Sequence, residues 1–169
     1  TVMILINKFK QINIKIFQKQ NIFSLIILIF TFSFDRFTKL EVLEKFSENI
    51  IYYNEYINLN LIWNTGIGFG LFSVSNSTIY NLITAIIGLV IIIVFYFLII
   101  SKFEDKISLS IIAGGALGNF YDRISFKAVP DFIDIHYGNF HWFTFNFADV
   151  FITIGIIFFM LGNVLKKND

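Results

Sequence analysis

The sequence predicts a mainly α-helical integral membrane protein with four transmembrane helices and a small sheet at the membrane surface. Of its 169 residues, 56% are hydrophobic and only 15% are charged, which is abnormal for a soluble fold. Apolar runs at 21–40, 79–100, 107–124 and 146–165 each approach the roughly 20 residues that a helix needs to cross a bilayer. We expect the chain, residues 1–169, to form a single membrane domain.

The composition also excludes several kinds of site. The chain has no cysteine, so disulfides, thiolate metal sites and cysteine nucleophiles are ruled out. Its net charge of +1 gives no reason to expect a nucleic-acid partner. The spacing of His136 and His141 places no obvious pair on one face, so we expect neither a metal nor a cofactor.

The first span begins after a lysine-bearing segment, residues 1–20, which we expect on the cytoplasmic side as an interfacial helix or a loose chain. The apolar run from Ile22 to Phe34 is too short to span alone, so the helix continues through Asp35 and Lys39. These two stand four apart on one face, and Lys39 is able to snorkel towards the headgroups. No small-residue cleavage site follows, which favours a retained helix over a secretory signal.

The segment 41–78 is the largest piece that we expect outside the membrane. In INLNLIWN, residues 57–64, apolar residues mostly alternate with asparagine, the pattern of a half-buried strand. The glycine-rich NTGIGFG overlaps its end, and Gly66, Gly68 and Gly70 allow a tight turn or a close approach of the backbone to a ligand. A small sheet on the membrane surface is therefore predicted.

The second and third spans differ in polarity. The span 79–100 carries no charge and is interpreted as structural. In the third, Gly114 and Gly118 form a small-xxx-small pair that lets a neighbouring helix approach closely.

Polar residues close the third span, in GGALGNFYDR. Asn119, Asp122 and Arg123 stand at i, i+3 and i+4 and so line one helical face. A helix-terminal ion pair is an equally good explanation for Asp122 and Arg123. Asn119 is harder to explain structurally, because a buried amide needs partners for both its donor and its acceptor.

Two further acids border the predicted loop 125–145. Asn146 and Asp149 open the fourth span in FNFAD, where Asn146 could simply cap the helix while Asp149 accepts backbone N–H groups. Asp131 of VPDF lies on the loop that joins the same two helices, so two carboxylates can be brought together. A pair that shares one proton can act as base and acid in peptide hydrolysis.

Orientation follows from the lysine and arginine residues. They are more numerous in the N-terminal segment, the 101–106 turn and the C-terminus, so both termini are expected in the cytoplasm. The polar residues then share the outer membrane face: Asp35, Lys39, Asn64, Asn119, Asp122, Arg123, Asp131, Asn146 and Asp149.

Five motifs, DRFTK, NTGIGFG, GGALGNFYDR, VPDF and FNFAD, resemble in sequence and order those of the lipoprotein signal peptidases, or signal peptidase II. The resemblance implies a bacterial inner-membrane aspartic endopeptidase with four spans and a small periplasmic β-cradle. It also implies that the enzyme cleaves prolipoproteins just before a diacylglyceryl-modified cysteine. By this resemblance the catalytic aspartates are Asp131 and Asp149, and the supporting residues are Asp35, Lys39, Asn64, Asn119, Asp122, Arg123 and Asn146.

Three positions depart from the family pattern. Arg36 stands where glutamine is usual and adds a charge near the site, and Gly68 stands where alanine is common. Pro130 stiffens the approach to Asp131. We expect a monomer that admits its substrate sideways from the lipid, with acyl chains on the apolar faces of the second and third spans. Asn64, Asn119 and Arg123 are expected to hydrogen-bond substrate backbone or to orient the aspartates.

Two other classes of protein are compatible with intramembrane acids. A small transporter or proton-conducting protein could use them as a relay, although the ionisable residues cluster at the outer face and the second span has none. A structural membrane subunit is the third possibility, and it would tolerate alanine at Asp131 and Asp149.

Overall fold

The structure, a computed structural model, describes residues 19–45, 51–66 and 77–166. Within these ranges lie four helices: α1 Lys19–Lys45, α2 Ser77–Ile100, α3 Phe103–Phe126 and α4 Phe147–Lys166. The strands are β1 Ile51–Tyr52, β2 Ile57–Asn64, β3 Val129–Tyr137 and β4 Phe140–Phe145, and they form one antiparallel sheet in that order. Residues 1–18 of the predicted N-terminal segment, and Gly68 and Gly70, lie outside the described residues.

The helices confirm the predicted membrane fold. Three of them, α1, α2 and α4, are long and apolar enough to cross a membrane. The remaining helix, α3, packs against the other three, so much of its surface meets protein and not lipid. Its buried positions include Ser108, Ser110, Ala113, Gly114 and Gly115, which explains its lower hydropathy.

Helices α1 and α3 approach to backbone contact at two glycines. A Cβ atom added to Gly114 would lie 1.8 Å from Thr31 Oγ1 and 2.7 Å from the Leu28 carbonyl oxygen. At Gly118 the same atom would lie 2.3 Å from Asp35 Oδ2. The predicted role of the two glycines is confirmed, and their absent side chains leave room for Asp35 against α3.

The predicted element bounds need three corrections. Helix α3 begins at Phe103, so most of the predicted 101–106 turn is helical. Helix α1 continues to Lys45, so the segment 41–78 begins as helix, with Val42 buried on its inner face. The segment 125–145 is not a loop but mostly the β3–β4 hairpin, turned by Gly138 with a φ of 57°. Strands β3 and β4 pair from Ile133–Phe145 to Tyr137–Phe140, with one register shift between Ile135 and His136, and the short turn at Gly138 joins them as a hairpin.

Strand β2 matches its predicted range, but the buried side is the polar one. Asn58 and Asn64 are buried, whereas Ile62 and Trp63 are each 44% exposed. Both buried asparagines donate to carboxyl groups on β3. Asn58 Nδ2 lies 3.5 Å from Asp134 Oδ2, and Asn64 Nδ2 lies 2.8 Å from Asp131 Oδ2. The sheet therefore directs hydrogen-bond donors to the acids of β3.

We expect Gly114→Ala to lower the free energy of unfolding by about 1–3 kcal/mol, because the methyl group forces α1 and α3 apart. Gly162→Ala is the matched control, since nothing lies within 4 Å of its added Cβ and alanine favours helix. Thermal unfolding in detergent micelles measures both. Equal unfolding temperatures for the two variants would contradict the close packing.

Candidate active site

Asp131 of β3 and Asp149 of α4 meet at one residue, Asn146. The Asn146 side-chain Nδ2 donates to Asp131 Oδ1 at 2.6 Å, and its backbone N–H donates to Asp149 Oδ2 at 3.2 Å. Both carboxyl groups are buried, with relative exposures of 2% for Asp131 and 8% for Asp149. The two acids that the sequence singled out are thus held side by side by a single asparagine.

The start of α4 explains how Asp149 is fixed. Asp149 N–H donates to Asn146 Oδ1 at 3.2 Å, while Asp149 Oδ2 accepts the Asn146 backbone N–H. This reciprocal arrangement is a capping box, which satisfies backbone donors at a helix N-terminus. The capping explanation of these residues is correct, and it is compatible with a role in a site.

Asn64 fixes the other carboxyl group. Its Nδ2 donates to Asp131 Oδ2 at 2.8 Å, and its Oδ1 accepts from the Gly66 backbone N–H at 2.8 Å. Because the Gly66 N–H can only donate, it defines which way the Asn64 amide points. Asn64 therefore orients Asp131.

The protonation of Asp131 follows from its surroundings. Burial and then the nearby Asp149 carboxylate raise the pKa of Asp131 to about 7, while hydrogen bonds from Asn64 and Asn146 act in the opposite direction. Asp131 lies on β3, outside the helices. Near neutral pH it therefore exists both with and without its proton, as a catalytic acid requires.

Asn119 links the acids to a buried cation. Its Nδ2 donates to Asp149 Oδ1 at 2.8 Å, and its Oδ1 accepts from Lys39 Nζ at 2.8 Å. An ammonium group only donates, so Lys39 sets the orientation of this amide. Asn119 is only half-buried, but both the donor and the acceptor of its amide have partners.

Lys39 is fully buried, and the expectation that it snorkels towards the headgroups is wrong. Its Nζ donates to Asp35 Oδ2 at 2.9 Å and to Asp122 Oδ2 at 2.8 Å, in addition to Asn119. Three acceptors match the three N–H groups of the ammonium, so its charge is accommodated inside the protein.

Arg36 completes this ion cluster. Its Nη1 lies 2.6 Å from Asp122 Oδ1, and its guanidinium lies 4.9 Å from the centroid of the Tyr121 ring. Two carboxylates, Asp35 and Asp122, are thereby matched by two cations. Asp35 Oδ1 also accepts the Ala148 backbone N–H at 3.0 Å, so the cluster joins α1, α3 and α4.

Arg123 is not the ion-pair partner of Asp122 that its position suggested. Among the described residues, Asp122 binds Lys39 and Arg36, whereas Arg123 Nη2 donates to the Gly66 carbonyl oxygen. Tyr80 Oη donates to the Arg123 carbonyl at 3.1 Å, which ties the start of α2 to α3. Sequence reasoning missed Tyr80, whose only signal was a phenol near the start of an apolar helix.

A cavity of about 510 Å³, here called the main cleft, opens beside these residues. Its polar end is formed by Asn64, Asn119, Arg123, Asp131 and Asp149. The remainder lies between α2, α3 and α4 and is lined by Ile87, Val90, Ile91, Val94, Leu109, Ile112, Ala116, Val129, Ile152, Thr153, Ile156 and Phe159. The polar side chains thus lie at one end of an apolar groove, and the faces of α2 and α3 form two of its walls.

The histidines occupy the far part of the sheet. His136 and His141 are register partners with ring centroids 5.4 Å apart, so the expectation that they share no face is wrong. The hairpin turn, which the sequence reading missed, brings them together. In the described part of the chain, no group of three or more His, Cys, Asp or Glu residues could hold a metal ion.

The chain is similar to known proteins over most of its length. The family model described as Signal peptidase (SPase) II matches residues 26–165. The lipoprotein signal peptidase of Pelagibacter ubique strain HTCC1062 is 48% identical over 157 residues, covering 91% of this chain and 95% of that protein. That of Anaplasma phagocytophilum strain HZ is 39% identical over 154 residues, covering 89% and 97%.

A solved structure is also similar. It is described as a bacterial membrane enzyme determined by the in meso method at 2.3 Å resolution. It matches with a TM-score of 0.70 and 30% sequence identity, covering 86% of this chain and 89% of its own.

Replacing Lys39 by methionine is expected to lower the free energy of unfolding by about 3–5 kcal/mol, because Asp35 and Asp122 lose their shared partner. Adding Asp35→Asn to this variant should recover part of the loss. The control is Lys45→Met on the same helix, whose side chain is 57% exposed and whose replacement should leave the unfolding temperature nearly unchanged. If Lys39→Met unfolds like Lys45→Met, the ion cluster does not stabilise the bundle.

Proposed function

The chain belongs to the signal peptidase II family, and we propose that Asp131 and Asp149 are its catalytic pair. The substrate is a prolipoprotein carrying a diacylglyceryl-modified cysteine, and the bond cleaved lies just before that cysteine. The observation that carries the proposal is the placement of Asn146, which donates to one oxygen of each carboxyl group at the polar end of the main cleft.

The surroundings of the two acids support different roles. Each carboxyl group accepts two hydrogen bonds, but Asp149 is linked through Asn119 to the buried Lys39 ammonium, and it acts as the base. It removes a proton from water as the water oxygen attacks the scissile carbonyl carbon. Asp131, with its pKa of about 7, gives its proton to the developing oxyanion. The proton taken up by Asp149 then passes to the leaving nitrogen as the C–N bond breaks. Asp131 recovers a proton from the gem-diol as it collapses to the carboxylic acid, which restores the starting state of the pair.

The supporting residues hold this pair and the substrate. Asn64, Asn119 and Asn146 orient the carboxyl groups through the contacts already described. Arg123 lines the main cleft, and its Nη1 is buried without a hydrogen-bond partner among the described residues. We assign that N–H group to a carbonyl oxygen of the substrate backbone, since a buried unpaired donor favours binding an acceptor.

The proposed membrane arrangement rests on where the site residues lie in the bundle and on the distribution of lysine and arginine. All the site residues lie at one end of the bundle, and the positive-inside pattern puts that end at the outer face of the bacterial inner membrane. Helix α3, with 24 residues, is then the third of four spans and both termini are cytoplasmic. Lipid-modified substrate enters from the bilayer between α2 and α4, whose apolar side chains line the main cleft.

We expect Asp131→Asn and Asp149→Asn each to abolish cleavage, with a loss of at least about a thousandfold in kcat. The assay compares a diacylglyceryl-modified precursor peptide with its unmodified twin, using purified protein. Asp134→Asn is the matched control, because Asp134 is also buried on β3 but lies outside the main cleft. Appreciable turnover by either dyad variant, or equal cleavage of both peptides, would contradict the proposal.

The pH profile tests the assignment of the acid. Asp131 must be protonated to donate, so kcat/KM should fall as pH rises through about 7. Asn64→Ala removes a hydrogen bond that lowers the pKa of Asp131, so the alkaline limb should move to higher pH while turnover falls. If the alkaline limb of the kcat/KM profile lies at the same pH in Asn64→Ala as in the wild type, another group donates the proton.

A further inference from the structure

A second cavity reaches Asp149 from another side of α4. This side groove has a volume of about 210 Å³ and is lined by Ile135, Phe143, Phe145, Asp149, Val150, Thr153 and Ile154. Its walls are the β3–β4 hairpin and the outer turns of α4. Apart from Asp149 and Thr153, every lining side chain is apolar.

The two cavities share a border on α4. Asp149 and Thr153, four residues apart and hence on one face, line both of them. On one side of this border the main cleft meets Ile152 and Ile156, and on the other the side groove meets Val150 and Ile154. Asp149 therefore lies where the two cavities meet.

The side groove is continuous with the lipid-facing surface of α4. Ile154 lines the groove and is 40% exposed, and Ile157 and Phe158 follow it as exposed apolar residues on the same helix. In a span, such side chains contact lipid hydrocarbon. A chain lying in the groove would pass directly from Asp149 into the acyl region of the bilayer.

We propose that the side groove binds one acyl chain of the substrate's diacylglyceryl group, an inference that rests on the proposed function. Three parts of the substrate meet near the scissile bond: the signal peptide, the mature chain and the lipidated side chain. The larger main cleft reaches both Asp131 and Asp149 and therefore takes the peptide around the scissile bond. The narrow groove suits a single hydrocarbon chain, so the two acyl chains separate at the Asp149–Thr153 border.

Tryptophan substitutions along the groove test this assignment. Val150→Trp fills the groove next to Asp149, and should lower kcat/KM for a long-chain diacylglyceryl precursor by about tenfold, equivalent to excluding roughly two methylenes. A precursor with short acyl chains should be cleaved at nearly the wild-type rate. Ile154 lies one helical turn further from Asp149 than Val150 does. Ile154→Trp should therefore begin to lower kcat/KM at a longer acyl-chain length than Val150→Trp.

The control is Ile92→Trp on α2, which is 66% exposed and lines neither cavity. It should cleave precursors of every chain length as the wild type does. The inference is overturned if folded Val150→Trp keeps the wild-type dependence on chain length, or loses activity equally on short and long chains. Should Val150→Trp fail to fold, Ile154→Trp decides by the same criterion. Absence of cleavage by the wild type would instead refute the proposed function.

Discussion

The structure depends on one buried ammonium group. Lys39 lies at the junction of α1 and α3 and satisfies Asp35, Asp122 and Asn119 together. A buried charge is tolerated only when nearby partners compensate its lost hydration, and here each N–H group has one. Because Asp35 also accepts the Ala148 N–H, the cluster sets the position of α4 relative to α1. The placement of Asp149 follows from that of Lys39 through Asn119.

This cluster requires the small residues of α3. With a side chain at Gly118, Asp35 could not lie where it accepts from Lys39, and with one at Gly114 the α1 backbone could not approach. Apolar packing gives little driving force between helices in lipid, so close contact and polar bonds must supply it. The glycines and the ion cluster thus form one interaction between α1 and α3. The lower hydropathy of α3 is a consequence of its central position.

The sequence allowed prediction of those features that depend on local pattern. Strand β2, the helices and the close approach at Gly114 and Gly118 follow from periodicity and residue size. The hairpin was missed because the segment around Asp131 was interpreted as a connection between spans. The burial of Lys39 could not be found locally, since its acceptors Asn119 and Asp122 come from another helix. For His136 and His141, the pairing depends on strand register, which spacing along the chain does not reveal.

The site shows why structural and chemical explanations of a polar residue need not compete. Asn146 and Asp149 form a capping box, and the same residues connect the start of α4 to Asp131. Helix capping fixes the backbone of Asn146, so its side-chain amide reaches Asp131 from a rigid position. Asn64 reaches Asp131 from a strand, and Asn119 reaches Asp149 from a helix. Each donor comes from an element held by other contacts, which is how a buried carboxyl pair is positioned before substrate arrives.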